Sequence, residues 1–294
     1  MQRYRQMSRT VKLIECPRDA MQGLHDFVPT NVKIQYLQQL IDTGFDALDF
    51  GSFVSVKAIP QMQDTHQIVE RLDLTNSNTK LLAIVANKRG AEEATRYSQI
   101  SYIGYPFSVS ETFQIRNTNS RIPDSVENIK QIQELCKKSG KQMLIYISMA
   151  FGNPYGDPWN AEIVMYWVEV LGNLGIQTFA LSDTIGVAEP ESIRYLFSNL
   201  IPSYPNIEFG AHFHTLPAFW EEKLLAAFES GCRRFDGAIY GYGGCPMAKD
   251  DLTGNMPTEH LISYFHNREL INHINLEQFS MAMIQAKHIF DTYH

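Results

Sequence analysis

Basic runs are missing from this sequence, and with them the footprint that a nucleic-acid surface leaves. Lys and Arg number 25 against 32 Asp and Glu, a formal charge of −7, and no Lys/Arg cluster would draw the chain to a polyanion. Cysteine is sparse as well. Cys16, Cys136, Cys232 and Cys245 show no C-x-x-C spacing, which excludes a disulfide framework and points to a reducing compartment. No uninterrupted apolar run approaches the ~18 residues of a transmembrane helix. The first ten residues carry Arg3, Arg5 and Arg9 without an acid, but the stretch is too short and has no apolar h-region for a targeting peptide. It reads as a solvated terminus, and the protein as cytoplasmic, with no membrane or nucleic-acid partner.

What the chain does have is a regular alternation of short apolar runs with longer segments of helical period. Strands are expected at Val11–Cys16, Ala47–Phe50, Leu81–Ala86, Ile100–Tyr105, Met143–Met149, Thr178–Ser182, Ile207–His212 and Arg233–Ile239. Between them helices are expected at Asn31–Thr43, with Thr30 as N-cap and Gly44 as stop, then near Pro60–Leu72, Arg89–Tyr97, Asp124–Ser139, Ala161–Leu174, Glu189–Leu200 and Pro217–Ser230. Eight such units without a low-complexity linker predict a closed (β/α)₈ TIM barrel, for which ~250 residues suffice. Thr258–Leu270 and Leu276–Tyr293 add two C-terminal helices. We therefore expect one domain over 1–294, with the barrel at about 11–240 and a Gly-rich loop plus helices at about 241–294. The tail either caps the barrel base or makes a homodimer interface.

In a barrel the reactive residues stand at the C-terminal ends of the strands, and the polar residues found there are few. His212 and His214, one residue apart at the end of the seventh strand, point the same way because strand side chains alternate with period two. The first strand ends in Arg18-Asp19, the second in Asp49, the sixth in Ser182-Asp183-Thr184, and the eighth runs into Gly241-Tyr242-Gly243-Gly244-Cys245-Pro246. Each has a plain structural alternative, from strand histidines with ordinary partners to a charged surface loop; for Asp183 it is loop capping. Taken together, a carboxylate and two imidazoles at one mouth make a ligand set for a divalent cation. With no thiolate in it, Mg²⁺ or Mn²⁺ is favoured over structural zinc, while Zn²⁺ or Fe²⁺ also suits Asp with two His. The glycines lack Rossmann or P-loop spacing and read as hinges that let Cys245 move. Trp159, Trp167 and Trp220 read as packing residues, and Cys16, Cys136 and Cys232 as small core hydrophobes.

Several of these segments, in order along nearly the whole chain, closely resemble the 3-hydroxy-3-methylglutaryl-CoA lyase family. They are Pro17-Arg18-Asp19-Ala20-Met21-Gln22, Ser52-Phe53-Val54-Ser55-Val56-Lys57 leading to Pro60-Gln61-Met62, Ser182-Asp183-Thr184-Ile185-Gly186-Val187, His212-x-His214, Gly243-Gly244-Cys245-Pro246 and Gly254-Asn255. The resemblance implies that Asp19, His212, His214 and Asn255 hold the cation, that Arg18 faces the substrate carbonyl, that Asp49 occupies the family's glutamate position and that Cys245 is the mobile catalytic thiol. The implied partner is a small acyl-CoA or hydroxy acid.

The implied reaction cleaves the C2–C3 bond of 3-hydroxy-3-methylglutaryl-CoA. The tertiary hydroxyl loses its proton, acetoacetate leaves, and the enolate of acetyl-CoA takes up a proton. Cys245 is the expected donor, with His212 the second choice as acid/base, and Asp49 is expected to orient Arg18. The chain departs from the family at Ala20-Met21, where Gly-Leu is usual, at Asp49, at Thr215, where aspartate is usual, at His25, where a lysine is expected near the CoA phosphates, and at Asn153, where some members place a cysteine. Two alternatives follow from these departures. One is a related aldolase or Claisen-type synthase acting on a 2-oxo or hydroxy acid; the other is a barrel that binds metal and metabolite without turnover.

Overall fold

The computed structural model describes residues 10–244 and 253–293. Eight parallel strands close on one another in chain order. They are β1 (Lys12–Glu15), β2 (Ala47–Ser52), β3 (Lys80–Ile84), β4 (Ile100–Ser108), β5 (Gln142–Ser148), β6 (Thr178–Asp183), β7 (Glu208–Phe213) and β8 (Arg234–Gly237). The seam is made by β1 against β8, with Lys12 opposite Arg234 and Glu15 opposite Gly237. The expected TIM barrel is therefore the observed fold. Strand interiors such as Leu48, Phe50, Leu81 and Ala83 are buried on the face that meets the helices, while Leu82, Ile84, Leu144, Tyr146 and Ala180 fill the barrel itself.

The helices among the described residues are α1 (Pro17–Met21), α2 (Thr30–Thr43), α3 (Thr65–Val69), α4 (Lys88–Ala94), α5 (Glu111–Thr118), α6 (Ile122–Ser139), α7 (Ala161–Gly172), α8 (Pro190–Ser203), α9 (Trp220–Glu229), α10 (Thr258–His266) and α11 (Leu276–Thr292). Gly44 ends α2 as expected, at φ 90°, a left-handed conformation that glycine adopts without a Cβ clash. Thr30 is the first residue of α2 and not its cap, since Pro29 holds the N-cap position and no side chain caps the helix. The helix expected over Pro60–Leu72 breaks into a 3₁₀ turn, Pro60–Met62, and the five-residue α3. Asp64, between the two, turns its carboxylate to the buried Lys33 ammonium 2.9 Å away.

Two helices escaped the periodicity reading. α1 is a single turn started by Pro17 at a position that needs no amide donor. α5 is polar along most of its length and is started by Ser110, whose hydroxyl accepts from Phe113 N. The C-terminal helices begin where expected, α10 ending at His266 short of Leu270, and α11 packs on α2, its Phe279 ring 6.2 Å from that of Phe45, just past the Gly44 stop. No helix among the described residues is long and apolar enough to cross a membrane.

Candidate active site

The C-terminal mouth is built around α1, which follows β1 after one residue and buries all five of its side chains. Arg18 and Asp19 are thereby held at the rim. Arg18 reaches to β2, where Asp49 takes both arms of the guanidinium, Nε–Oδ1 at 3.1 Å and Nη2–Oδ2 at 2.5 Å. Its remaining nitrogen, Nη1, meets Asp19 Oδ1 at 3.2 Å and Gln22 Oε1 at 3.0 Å. A two-armed pair of this kind holds the guanidinium plane, which a lysine would not do. Burial lifts the Asp49 carboxyl to about 6, and the pull of Arg18 holds it from rising further.

β7 supplies His212, and His214 follows one residue past its end, with the two ring centres 5.6 Å apart. One ligand atom from each of them and one from Asp19 lie within 4.8 Å of one another, so the same-side placement expected of the two histidines is what the strand delivers. His212 Nδ1 lies 3.2 Å from Asp236 Oδ2 of β8, which turns Nε2 outward to a ligand. Burial, reinforced by His212, depresses His214 to about 4, leaving the ring neutral. Its Nδ1 is buried without a hydrogen-bond partner among the described residues. Burial also opposes charge on Asp19, but Arg18, His212, His214 and the Asn255 amide outweigh it and hold this carboxyl below the ordinary value. A neutral imidazole, an ionised carboxylate and an unpartnered ring nitrogen at one point fit a divalent cation.

Asn255 arrives from the other end of the chain. It bridges to His214 in strand-like fashion, and its Nδ2 donates to Asp19 Oδ2 and to Tyr242 O, both at 2.9 Å. Gly243 makes this approach possible. At φ 90°, a Cβ there would lie 2.7 Å from Ala20 Cα and 3.0 Å from Asn255 Nδ2. Cys245 lies outside the described residues.

Asp183 caps its loop and also pairs with a buried lysine. Its oxygens accept from Val187 N and Ala188 N, capping the loop, and from the buried Lys223 Nζ at 2.6 Å. Lys223 in turn donates to His214 O, so the carboxylate steadies the backbone of a candidate ligand. Of the departures from the family pattern, His25 is exposed beside Asp26, Asn153 ties its own loop by accepting from Tyr155 N and Asp157 N, and Thr215 is buried with its hydroxyl on Leu216 O. Ala20 and Met21 are buried in α1.

Gln22, Asp236, Lys223 and Tyr146, whose ring stands edge-on to His212 at 5.2 Å, were not singled out from the sequence. For Gln22 the usable signal was its spacing of four from Arg18. For Asp236 it was a lone carboxylate inside a strand. Cys16, expected to be inert, is a buried free thiol whose pKa burial and the neighbouring carboxylates push far up. Trp167 packs on Phe107 as expected of a core aromatic.

The HMGL-like family model matches residues 11–284. Among curated proteins the chain is similar to a hydroxymethylglutaryl-CoA lyase of Bacillus subtilis, 30% identical over 90% of this chain and 88% of the relative. It is likewise similar to a cytoplasmic 3-hydroxy-3-methylglutaryl-CoA lyase of Danio rerio, 32% identical over 87% and 76%. Among solved structures, an HMG-CoA lyase of Bacillus subtilis superposes with a TM-score of 0.89 at 28% identity, covering 96% of this chain and 94% of that one. An HMG-CoA lyase of Acinetobacter baumannii in complex with coenzyme A and 3-methylmalate superposes with a TM-score of 0.86 at 28% identity, covering 94% and 90%.

Proposed function

The chain belongs to the HMGL-like family, and from that premise we propose that it is a carbon–carbon lyase that cleaves 3-hydroxy-3-methylglutaryl-CoA to acetyl-CoA and acetoacetate. The observation that carries the reading is the convergence of Asp19, His212 and His214 beside the two-armed Arg18–Asp49 pair at the barrel mouth. The relative solved with coenzyme A and 3-methylmalate supports an acyl-CoA or hydroxy acid as substrate.

In this reading Asp19, His212, His214 and Asn255 hold the divalent cation, with Mg²⁺ or Mn²⁺ preferred because no thiolate joins the oxygen and nitrogen donors. The chemistry supplied when the cation is bound is Lewis acidity toward the substrate hydroxyl, together with a set geometry for the C2–C3 bond. Arg18, charged at every working pH, stabilises the negative charge that grows on the thioester oxygen as that bond breaks. Asp49 keeps the guanidinium aimed, and Gln22 bonds both Arg18 and Asp19. Asp236 orients the His212 ring from below. The thiol of Cys245 holds the proton that the enolate carbon receives.

The buried free thiols Cys16, Cys136 and Cys232 support the cytoplasm as the compartment. The exposed Leu276, Met281 and Ile284 of α11 support a homodimer through the C-terminal tail.

The test is to incubate purified protein with 3-hydroxy-3-methylglutaryl-CoA and Mg²⁺ or Mn²⁺ and to assay acetoacetate. Product with either ion is expected. Silence with both, alongside cleavage of free 4-hydroxy-2-oxo acids, assigns the barrel to aldolase chemistry instead. With Cys245→Ser, turnover collapses while cation binding persists; unchanged turnover removes the thiol from proton delivery.

A further inference from the structure

We propose that the N-terminal end of the barrel, opposite the candidate active site, is a second binding site, for a small oxyanion. A cavity of about 680 Å³ opens there, with Lys12, Lys80, Tyr102, Arg234, His273 and Asn275 among its lining residues. That volume falls within the range of roughly 300–1,000 Å³ typical of small-molecule sites. Lys12 begins β1 and Arg234 begins β8, so the cavity opens at the strands' N-terminal ends, with the Asp236 carboxylate standing between the Arg234 guanidinium and His212.

Its floor is an under-used arginine. Arg234 is 1% exposed, yet its Nε and Nη2 find no hydrogen-bond partner among the described residues. Nε stands 3.9 Å from Asp236 Oδ1, beyond hydrogen-bond reach. Nη1 is 3.5 Å from Glu208 Oε2, and Glu208 already pairs closely with Lys12 through its other oxygen. The guanidinium lies over the Tyr102 ring, 5.7 Å from its centre. Gly210 leaves it room, since a Cβ there would come within 2.8 Å of Arg234 Cδ. An arginine cannot shed its charge to relieve burial, and open donors on a buried cation are costly.

The carboxylates at the cavity wall do not answer that need. Asp42 accepts from Gln38, Asp46 from Leu13 N and His273, and Asp73 from Thr75 N. Lys80 is exposed and pairs with no carboxylate among the described residues. Asp236 Oδ1 also lacks a hydrogen-bond partner among the described residues, but Asp236 does not line the cavity; the unmatched groups that do are cationic donors, and a guanidinium fork with an ammonium in the same cavity recognises a carboxylate or a phosphate.

The probes that separate these two sources are inorganic phosphate and malonate, titrated calorimetrically into the full-length, cation-loaded protein. One-to-one binding of at least one probe is expected, and the tighter of the two names the chemistry. Arg234→Met weakens binding about tenfold or more, the loss of one charged hydrogen bond. Lys80→Ala, at an exposed position that leaves folding untouched, weakens it several-fold. His214→Ala, which disables the cation set at the other end of the barrel, leaves it intact. A protein that binds neither probe, or whose binding is unchanged by Lys80→Ala or abolished by His214→Ala, overturns the assignment.

Discussion

At the scale of single residues, burial decides which groups carry charge. His214 is pushed down to about 4 by burial and by His212, so its ring is neutral over the working range and offers a lone pair without first losing a proton. His214→Ala therefore removes a proposed ligand without changing the net charge at neutral pH. Stoichiometric Mn²⁺ binding, followed by calorimetry, is expected to be lost; a variant that still binds one equivalent with parent affinity takes His214 out of the ligand set. Glu15 shows the opposite case. Burial raises its carboxyl from 4.5 to about 8, against hydrogen bonds from Thr258 and Ile239 N. A carboxyl raised in the fold binds more protons folded than unfolded between those two values. Its contribution is complete below pH 4.5 and is lost as pH climbs through 8, with a slope of about 1.4 kcal/mol for each pH step between them. Gln keeps an acceptor for Ile239 N and a donor for Thr258. Urea midpoints of Glu15→Gln between pH 5 and 8 are therefore expected to stay flat where the parent's decline, and parallel slopes would show that Glu15 titrates normally.

At the scale of elements, the strands and long helices were legible because their signals are local. Period-two and period-3.6 patterns, and Gly44 as a stop, need no knowledge of distant residues. The His212/His214 pair was legible for the same reason, and the resemblance brought Asp19 and Asn255 to it. What was not legible depends on the closed sheet. Asp236 is read as a strand residue until β7 and β8 pair His212 with it in register, and α1 is too short to leave a period. Lys223 is the sharpest instance, because its position on α9 suggests a solvated lysine. Instead its ammonium is buried and donates to Asp183 Oδ2, Gly186 O and His214 O, joining α9 to the ends of β6 and β7. Lys223→Met strands a buried carboxylate and is expected to cost about 3–5 kcal/mol in chemical denaturation. Adding Asp183→Asn to it recovers part of that loss. If the double variant is no more stable than the single, the stranded charge was not the source.

At the scale of the whole molecule, the proposed cation site joins the two ends of the chain across the seam where the barrel closes. Asp19 follows β1, Asn255 follows β8, and the bond between them spans 236 positions of sequence, with the β1–β8 pairing beside it. A cation held jointly by Asp19, His212, His214 and Asn255 binds only when that seam is formed, so its affinity adds directly to folding stability. At a free ion concentration 100 times the dissociation constant the gain is about 2.7 kcal/mol, which for a chain of this size corresponds to roughly 4 °C in Tm. Mn²⁺ is expected to raise the thermal midpoint of the parent by that amount and of His214→Ala by none. Lys80→Ala, altered at the opposite end of the barrel and away from Asp236, keeps the shift. Equal Mn²⁺ shifts in the parent and His214→Ala would place the ion somewhere other than across the seam, and loss of the shift in Lys80→Ala would mean that the two ends of the barrel are not independent.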